Sequence, residues 1–255
     1  MRLVQRETKY AAVALGLSLT LLAAACGGAD KPGTGGAATE KSTGSATTAA
    51  TSAATSAAVP AASGTPNRKK RVVMIGTSLT AGLGLDPDRS FATLVQRKID
   101  SAGFQISLVN AGLSGETSAG ALRRAAWVLD QPADAVILEV GANDGLRGVN
   151  PDSTEANLVA LIKQIHHDQP NAKVLLVQME APTNLGRDYQ TRFHYAYQGA
   201  AEATGTPLLP FLLDGVAGVA RLNQADGIHP NVEGSKRVAE TLWKSLLPTF
   251  TELAR

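Results

Sequence analysis

Residues 71–80 read RVVMIGTSLT, four apolar residues in a row that follow a cation and run out into Gly76, Thr77 and Ser78. A strand without polar alternation has to be covered on both faces, which is the habit of parallel strands in α/β folds. The pattern recurs at 106–110, at 135–140 (AVILEV) and at 173–179 (KVLLVQM), with a short fifth run at 207–209. Between these runs, apolar residues fall at helical spacing over 90–101, 117–129, 153–169, 188–204 and 232–247. Five strands alternating with helices predict a doubly wound α/β sandwich with a parallel sheet. Such a sheet takes its ligands beyond the carboxyl ends of its strands. The residues directly after each strand therefore carry the functional argument.

The alternation starts only after residue 67. Residues 1–10 carry Arg2, Arg6 and Lys9 against Glu7, and residues 11–25 (AAVALGLSLTLLAAA) hold no charge before Cys26. This is the layout of a secretory signal. It is too short for a membrane-spanning helix, which needs about 20 apolar residues. Residues 21–26 resemble the lipobox of bacterial lipoproteins, whose cysteine is lipidated after cleavage, although Ala23 stands where that motif usually has leucine. The alternative is a plain signal peptide cut at an Ala-x-Ala site. The position of the lone cysteine at the end of the apolar run favours lipidation of Cys26.

Residues 26–67 contain 12 Ala, 8 Thr, 5 Ser, 7 Gly and 3 Pro among 42. Too little apolar area is on offer there to offset the entropy of ordering, so this stretch reads as a disordered tether. The domain organisation expected is a signal at 1–25, a tether at 26–67 and a folded domain at 68–255. The formal charge of +2 resides in residues 1–25, which leaves 68–255 neutral and argues against a nucleic-acid partner. Aromatic residues are 4 % of the chain, so a core must be built from Val, Leu, Ile and Ala. With Cys26 as the single cysteine, an intrachain disulfide and a cysteine-cluster metal site are excluded.

Four polar clusters follow the predicted strands or stand near the C-terminus: Gly76-Thr77-Ser78-Leu79, Asn110-Ala111-Gly112-Leu113-Ser114-Gly115-Glu116-Thr117, Gly141-Ala142-Asn143-Asp144 and Asp226-Gly227-Ile228-His229-Pro230. Acyl transfer needs a hydroxyl nucleophile, an imidazole to take its proton, a carboxylate to fix the imidazole, and donors aimed at the developing oxyanion. Ser78 leaves a buried strand on a glycine turn. Asp226 and His229 are three apart, so on one irregular turn the carboxylate can reach Nδ1 while Nε2 faces Ser78. The donors would be the Ser78 and Gly115 backbone N–H groups and the Asn143 amide. Taken singly, each cluster reads equally as an ordinary turn. Their order and conjunction carry the signal.

Together the four blocks resemble those of the SGNH (GDSL-type) hydrolases, in the group around bacterial thioesterase I, lysophospholipase L1 and arylesterase, over 72–247. The resemblance implies a flavodoxin-like three-layer α/β/α sandwich with a five-stranded parallel sheet. It also implies Ser78, Asp226 and His229 as the catalytic triad and Ser78, Gly115 and Asn143 as the oxyanion hole, with no metal or other cofactor. One position departs from it: the family usually has aspartate where this chain has Thr77, whose hydroxyl can supply part of the hydrogen bonding within the turn.

Other candidates read as structural. His166 and His167 close a helix, where polar groups suit its dipole. His194 belongs to a helix face, and Arg123 and Arg124 read as a solvated face. The chain lacks G-x-S-x-G, S-x-x-K, H-E-x-x-H and any Gly-Lys pair, which argues against α/β-hydrolases, penicillin-binding proteins, zinc proteases and NTPases. The reading that emerges is a serine esterase of the bacterial cell envelope, membrane-anchored through Cys26, acting on small acyl esters or lipids. Thioesters and lysophospholipids are further substrates. An O-acetyl esterase of envelope polysaccharide and a tethered binding lipoprotein without turnover are the alternatives.

Overall fold

In the computed structural model, which describes residues 68–255, β1 (Lys70–Gly76) is flanked by β2 (Ile106–Gly112) and β3 (Ala135–Glu139). With β4 (Lys173–Val177) and β5 (Leu208–Leu209) the sheet order is β2-β1-β3-β4-β5, and every pairing is parallel. This is the flavodoxin-like order. Val72 to Ile75 are fully buried, as their unbroken hydrophobicity requires. The expected signal, Cys26 and the tether lie outside the described residues.

The helices form two sets that pack within themselves. α2 (Phe91–Ser101) lies against α7 (Val232–Leu253), while α5 (Pro151–Asp168) packs on both α3 (Ser118–Val128) and α6 (Arg187–Thr204). Side-chain caps start most of them: Ser90 accepts from Thr93 N–H, Thr117 from Gly120 N–H, Asn150 from Asp152 N–H ahead of Pro151, and Asn231 from Glu233 and Gly234 N–H. The core between them is aliphatic, with Phe193, Tyr197 and Phe250 as its large fully buried aromatics.

Two elements differ from the sequence reading. Asn143-Asp144-Gly145, which alone reads as a turn, lies inside a short helix, α4 (Ala142–Arg147), between left-handed glycines at 141 and 148. Gly141 is required there twice over. Its φ is +94°, and a Cβ would fall 2.2 Å from the Tyr197 hydroxyl oxygen. Helix α7 runs past 247 and through Pro248 to Leu253. A proline inside a helix costs about 3 kcal/mol, but Leu246 and Phe250 one turn apart are both fully buried, and the Phe250 ring packs tilted against Trp243 with centroids 5.9 Å apart. Burying two such side chains is worth roughly 3 to 6 kcal/mol, enough to carry the helix on.

The register aligns the functional edge. Gly76 pairs with Gly112 on one side and with Glu139 on the other, so β1, β2 and β3 end level and release their following loops side by side. No helix among the described residues is long and apolar enough to cross a membrane.

Candidate active site

Ser78 is the first residue of α1 (Ser78–Ala81), a single turn capped at its start by Thr77, whose Oγ accepts from Leu79 N–H. The turn places the Ser78 hydroxyl at the sheet edge, 2.8 Å from His229 Nε2. On the other side of the ring, His229 Nδ1 lies 2.6 Å from Asp226 Oδ2. Asp226 Oδ1 accepts from the Ile228 and His229 backbone N–H groups at 2.9 and 3.0 Å, so this carboxylate shapes the loop as well as holding the ring. The loop is closed below by Gln224 N–H donating to the His229 carbonyl at 2.7 Å and by the antiparallel bridge between Asn223 and Pro230.

The His229 ring bond, then the backbone N–H groups of His229 and Ile228, hold the Asp226 carboxyl down at about 2. Ionised, it can only accept, which assigns the proton of His229 to Nδ1 and leaves Nε2 to accept from the Ser78 hydroxyl. The three groups therefore form one chain of directed hydrogen bonds.

Gly115 and Asn143 arrive on the neighbouring loops. Gly115 adopts φ +79°, and its carbonyl accepts from Arg147 at 3.0 Å. Asn143 stands in the first turn of α4 and donates one amide hydrogen to the Glu116 carbonyl at 2.9 Å, which locks the two loops together and leaves its second amide hydrogen available. Among the described residues, no group accepts from the Ser78 or Gly115 N–H. Next to Asn143, the fully buried Asp144 accepts from Ser118 N–H and Ser118 Oγ, tying α4 to the start of α3.

Several supports were not legible in the sequence. Arg124 is not on a solvated face. It pairs with the buried Glu116 and donates to the Ala111 carbonyl at 2.7 Å, bracing the loop that carries Gly115. The signal available was Glu116 itself, an acid inside a glycine-rich turn eight residues before an arginine. Glu139, fully buried at the end of β3, receives hydrogen bonds from Thr77 and Thr80 on either side of Ser78. A glutamate inside the otherwise apolar run AVILEV is its signal. His167 is exposed and paired with Asp168, His166 is exposed, and His194 is bonded to Glu180 at 2.7 Å, so none of them joins the Ser78 cluster.

A hydroxyl, an imidazole and a carboxylate in series at the carboxyl edge of a parallel sheet place the protein among hydrolases built on an α/β scaffold. The model of the GDSL-like Lipase/Acylhydrolase family matches residues 74–237, and the chain belongs to that family. It is 38 % identical over 178 residues to the esterase TesA of Pseudomonas aeruginosa, covering 69 % of this chain and 88 % of that protein. To the thioesterase 1/protease 1/lysophospholipase L1 of Escherichia coli K12 it is 35 % identical, covering 69 % and 83 %. Among solved structures, it resembles the psychrotrophic esterase EstA of Pseudoalteromonas sp., inhibited by monoethylphosphonate, with a TM-score of 0.68 and 33 % identity over 71 % of this chain and 99 % of that one. The expected SGNH-hydrolase fold is thus met by both topology and likeness.

Proposed function

We propose that this hydrolase cleaves carboxylic esters of acyl chains longer than acetyl by a two-step serine mechanism, with thioesters and lysophospholipids within its range. The observation that carries the reading is the continuous bond path from Ser78 Oγ through His229 to Asp226. Ser78 Oγ attacks the acyl carbonyl carbon while its proton passes to His229 Nε2, and the resulting oxyanion rests on Ser78 N–H, Gly115 N–H and the Asn143 amide. The tetrahedral intermediate collapses as His229 returns the proton to the leaving alkoxide or thiolate. Water then adds to the acyl-enzyme with the same base, and the acid departs from Ser78.

The acyl side is served by a groove of about 410 Å³ that starts beside Leu79 and Ala142 and continues along Met179, Ala181, Phe211 and Leu213. Two of its lining residues, Leu146 and Ile228, are 43 % and 41 % exposed and give the groove an apolar rim. Apolar groove and apolar rim together suit a lipid-like acyl chain. Each buried methylene is worth about 0.8 kcal/mol, so kcat/KM for 4-nitrophenyl butyrate should exceed that for the acetate by roughly tenfold. Acetyl through palmitoyl esters, assayed in one series, test this. An optimum at acetyl would instead favour a polysaccharide O-acetyl esterase, and no turnover on any ester would favour a binding protein.

The same reading puts the enzyme in the bacterial envelope, exported by residues 1–25, anchored through lipidated Cys26 and carried on the tether of 26–67. Its support is the charge and composition pattern of those residues. In a bacterial host, Cys26→Ser should move the esterase activity from the membrane fraction to the soluble fraction. Equal membrane association of both forms would refute the anchor.

A further inference from the structure

Directly behind Ser78, at the last position of β3, stands Glu139, the only acidic residue within a strand among the described residues and 1 % exposed. Its Oε2 accepts from Thr77 N–H at 2.9 Å, from Thr80 Oγ at 2.7 Å and from Thr80 N–H at 3.3 Å, and its Oε1 accepts from Thr77 Oγ at 3.0 Å. Four donors from the residue before Ser78 and the residue two after it thus converge on one carboxylate. The fit is tight: a Cβ on Gly76 would lie 2.8 Å from Glu139 Oε2 and 2.1 Å from Thr80 Oγ. Only glycine lets the strand end close enough for the contact.

Among the described residues, no cation pairs with this carboxylate. Arg124 reaches the neighbourhood at the Gly76 carbonyl, 3.4 Å away, but its charge is committed to Glu116. From the other packed elements, the Tyr197 hydroxyl of α6 donates to the Val140 carbonyl, and Asp144 of α4 is bonded to Ser118 and Thr154. A buried carboxylate with no counter-ion is costly unless donors satisfy it. Here every donor belongs to the turn that presents the serine, so the carboxylate's own need for hydrogen bonds fixes that turn.

We propose that Glu139 is a positioning residue for the nucleophile: its carboxylate clamps Thr77 and Thr80 and thereby holds Ser78 Oγ in line with His229 Nε2. The proposal rests on Ser78 being the nucleophile. It gives Thr77 a reason: an aspartate at that position would face Glu139 with a second carboxylate, and the two would have to share a proton. Thr77 leaves one carboxylate and supplies a hydroxyl that donates to it while accepting from Leu79 N–H. Burial pushes the Glu139 carboxyl up to about 7 against the pull of its four donors. Protonation removes an acceptor that those donors need, so the clamp is complete above about pH 7 and loosens as pH falls below it.

The test is steady-state kinetics on 4-nitrophenyl butyrate from pH 5 to 9 for the full protein, Glu139→Gln, Thr80→Val and Thr80→Ser, with melting temperatures and with Ser78→Ala as the reference. Displacing a nucleophile by about an ångström costs up to roughly 100-fold. Glu139→Gln and Thr80→Val should therefore lower kcat at pH 8 by roughly 10- to 100-fold with KM within about threefold, and slow phosphonate labelling of Ser78 in parallel. Thr80→Ser, which keeps the hydroxyl, should restore kcat. Glu139→Gln should also lose the part of the wild-type decline near pH 7 that belongs to this carboxyl. Should Glu139→Gln fail to fold, Thr80→Val, which removes one donor at nearly constant volume, carries the test. Variants that melt earlier yet keep the wild-type kcat and pH profile would make Glu139 a structural residue only and overturn the proposal. An active Ser78→Ala enzyme would instead overturn the nucleophile assignment, so the two failures are told apart.

Discussion

Ser78→Ala and His229→Ala should each reduce kcat for 4-nitrophenyl butyrate by about 10⁴- to 10⁶-fold, with the double variant little worse than either alone. The near-equality of the three is the sharper expectation. Nucleophile and base form one bond path, Ser78 Oγ to His229 Nε2 at 2.8 Å and Nδ1 to Asp226 at 2.6 Å, so breaking it once removes the function of the whole. Neither change should unfold the protein. Ser78 Oγ and the His229 ring contact each other at a partly open surface rather than holding core elements together; Ser78→Ala loses one hydrogen bond there and His229→Ala two, each worth about 1 to 2 kcal/mol. Melting curves and single-turnover kinetics check the two halves of this expectation. A Ser78→Ala enzyme that keeps more than about a hundredth of wild-type kcat, measured on protein free of contaminating esterase, would end the serine mechanism.

Asp226 adds a pH signature to the same variants. Its folded carboxyl titrates at about 2, below the ordinary carboxylate value of 3.8. The stabilisation from its bonds to His229 and Ile228 is therefore complete above the ordinary value and is lost as pH falls through about 2. Through the whole range in which esters are assayed Asp226 stays charged, and any decline of activity between pH 8 and pH 5 belongs to other groups. Glu139, held up at about 7, is the buried carboxyl that titrates inside that range.

The sheet and the residues gathered at its edge were legible because both rest on local signals. Val72 to Ile75 carry no polar alternation, and only a strand covered on both faces permits that. Ser78, Gly115, Asn143, Asp226 and His229 stand out in the sequence because each follows a strand or sits in a tight polar turn, and a parallel sheet brings such places to one edge. Arg124 reads as a solvated face for the opposite reason. Glu116 stands just ahead of the cap of Arg124's own helix, but that it is buried and needs a cation depends on tertiary packing that the helix pattern does not reveal. Nothing local in AVILEV marks Glu139 as more than one acid in an apolar strand. Its burial depends on Thr77 and Thr80, some 60 residues earlier in the chain. Helix α4 was hidden by Asn-Asp-Gly, a turn signature that a buried Asp144 and left-handed glycines at both ends convert into a helical turn.

Asn143→Ala should lower kcat by about 10²- to 10³-fold while leaving KM within about threefold, the cost of removing one donor from an oxyanion hole. One amide hydrogen of Asn143 is already spent on the Glu116 carbonyl at 2.9 Å, which leaves the second for the oxyanion in the mechanism proposed above. That donor meets little charge on a ground-state ester carbonyl and a full charge on the tetrahedral intermediate, so its loss falls on the chemical step rather than on binding. The Glu116 contact adds a stability loss of about 1 kcal/mol, too small to unfold the domain, and activity measured well below the melting temperature separates the two effects. Asn143→Asp sharpens the test: it keeps the shape, removes both donated hydrogens and puts a negative charge where the oxyanion forms, so it should be slower than Asn143→Ala. If both variants turn over within about threefold of the wild type, Ser78 and Gly115 N–H stabilise the intermediate without Asn143.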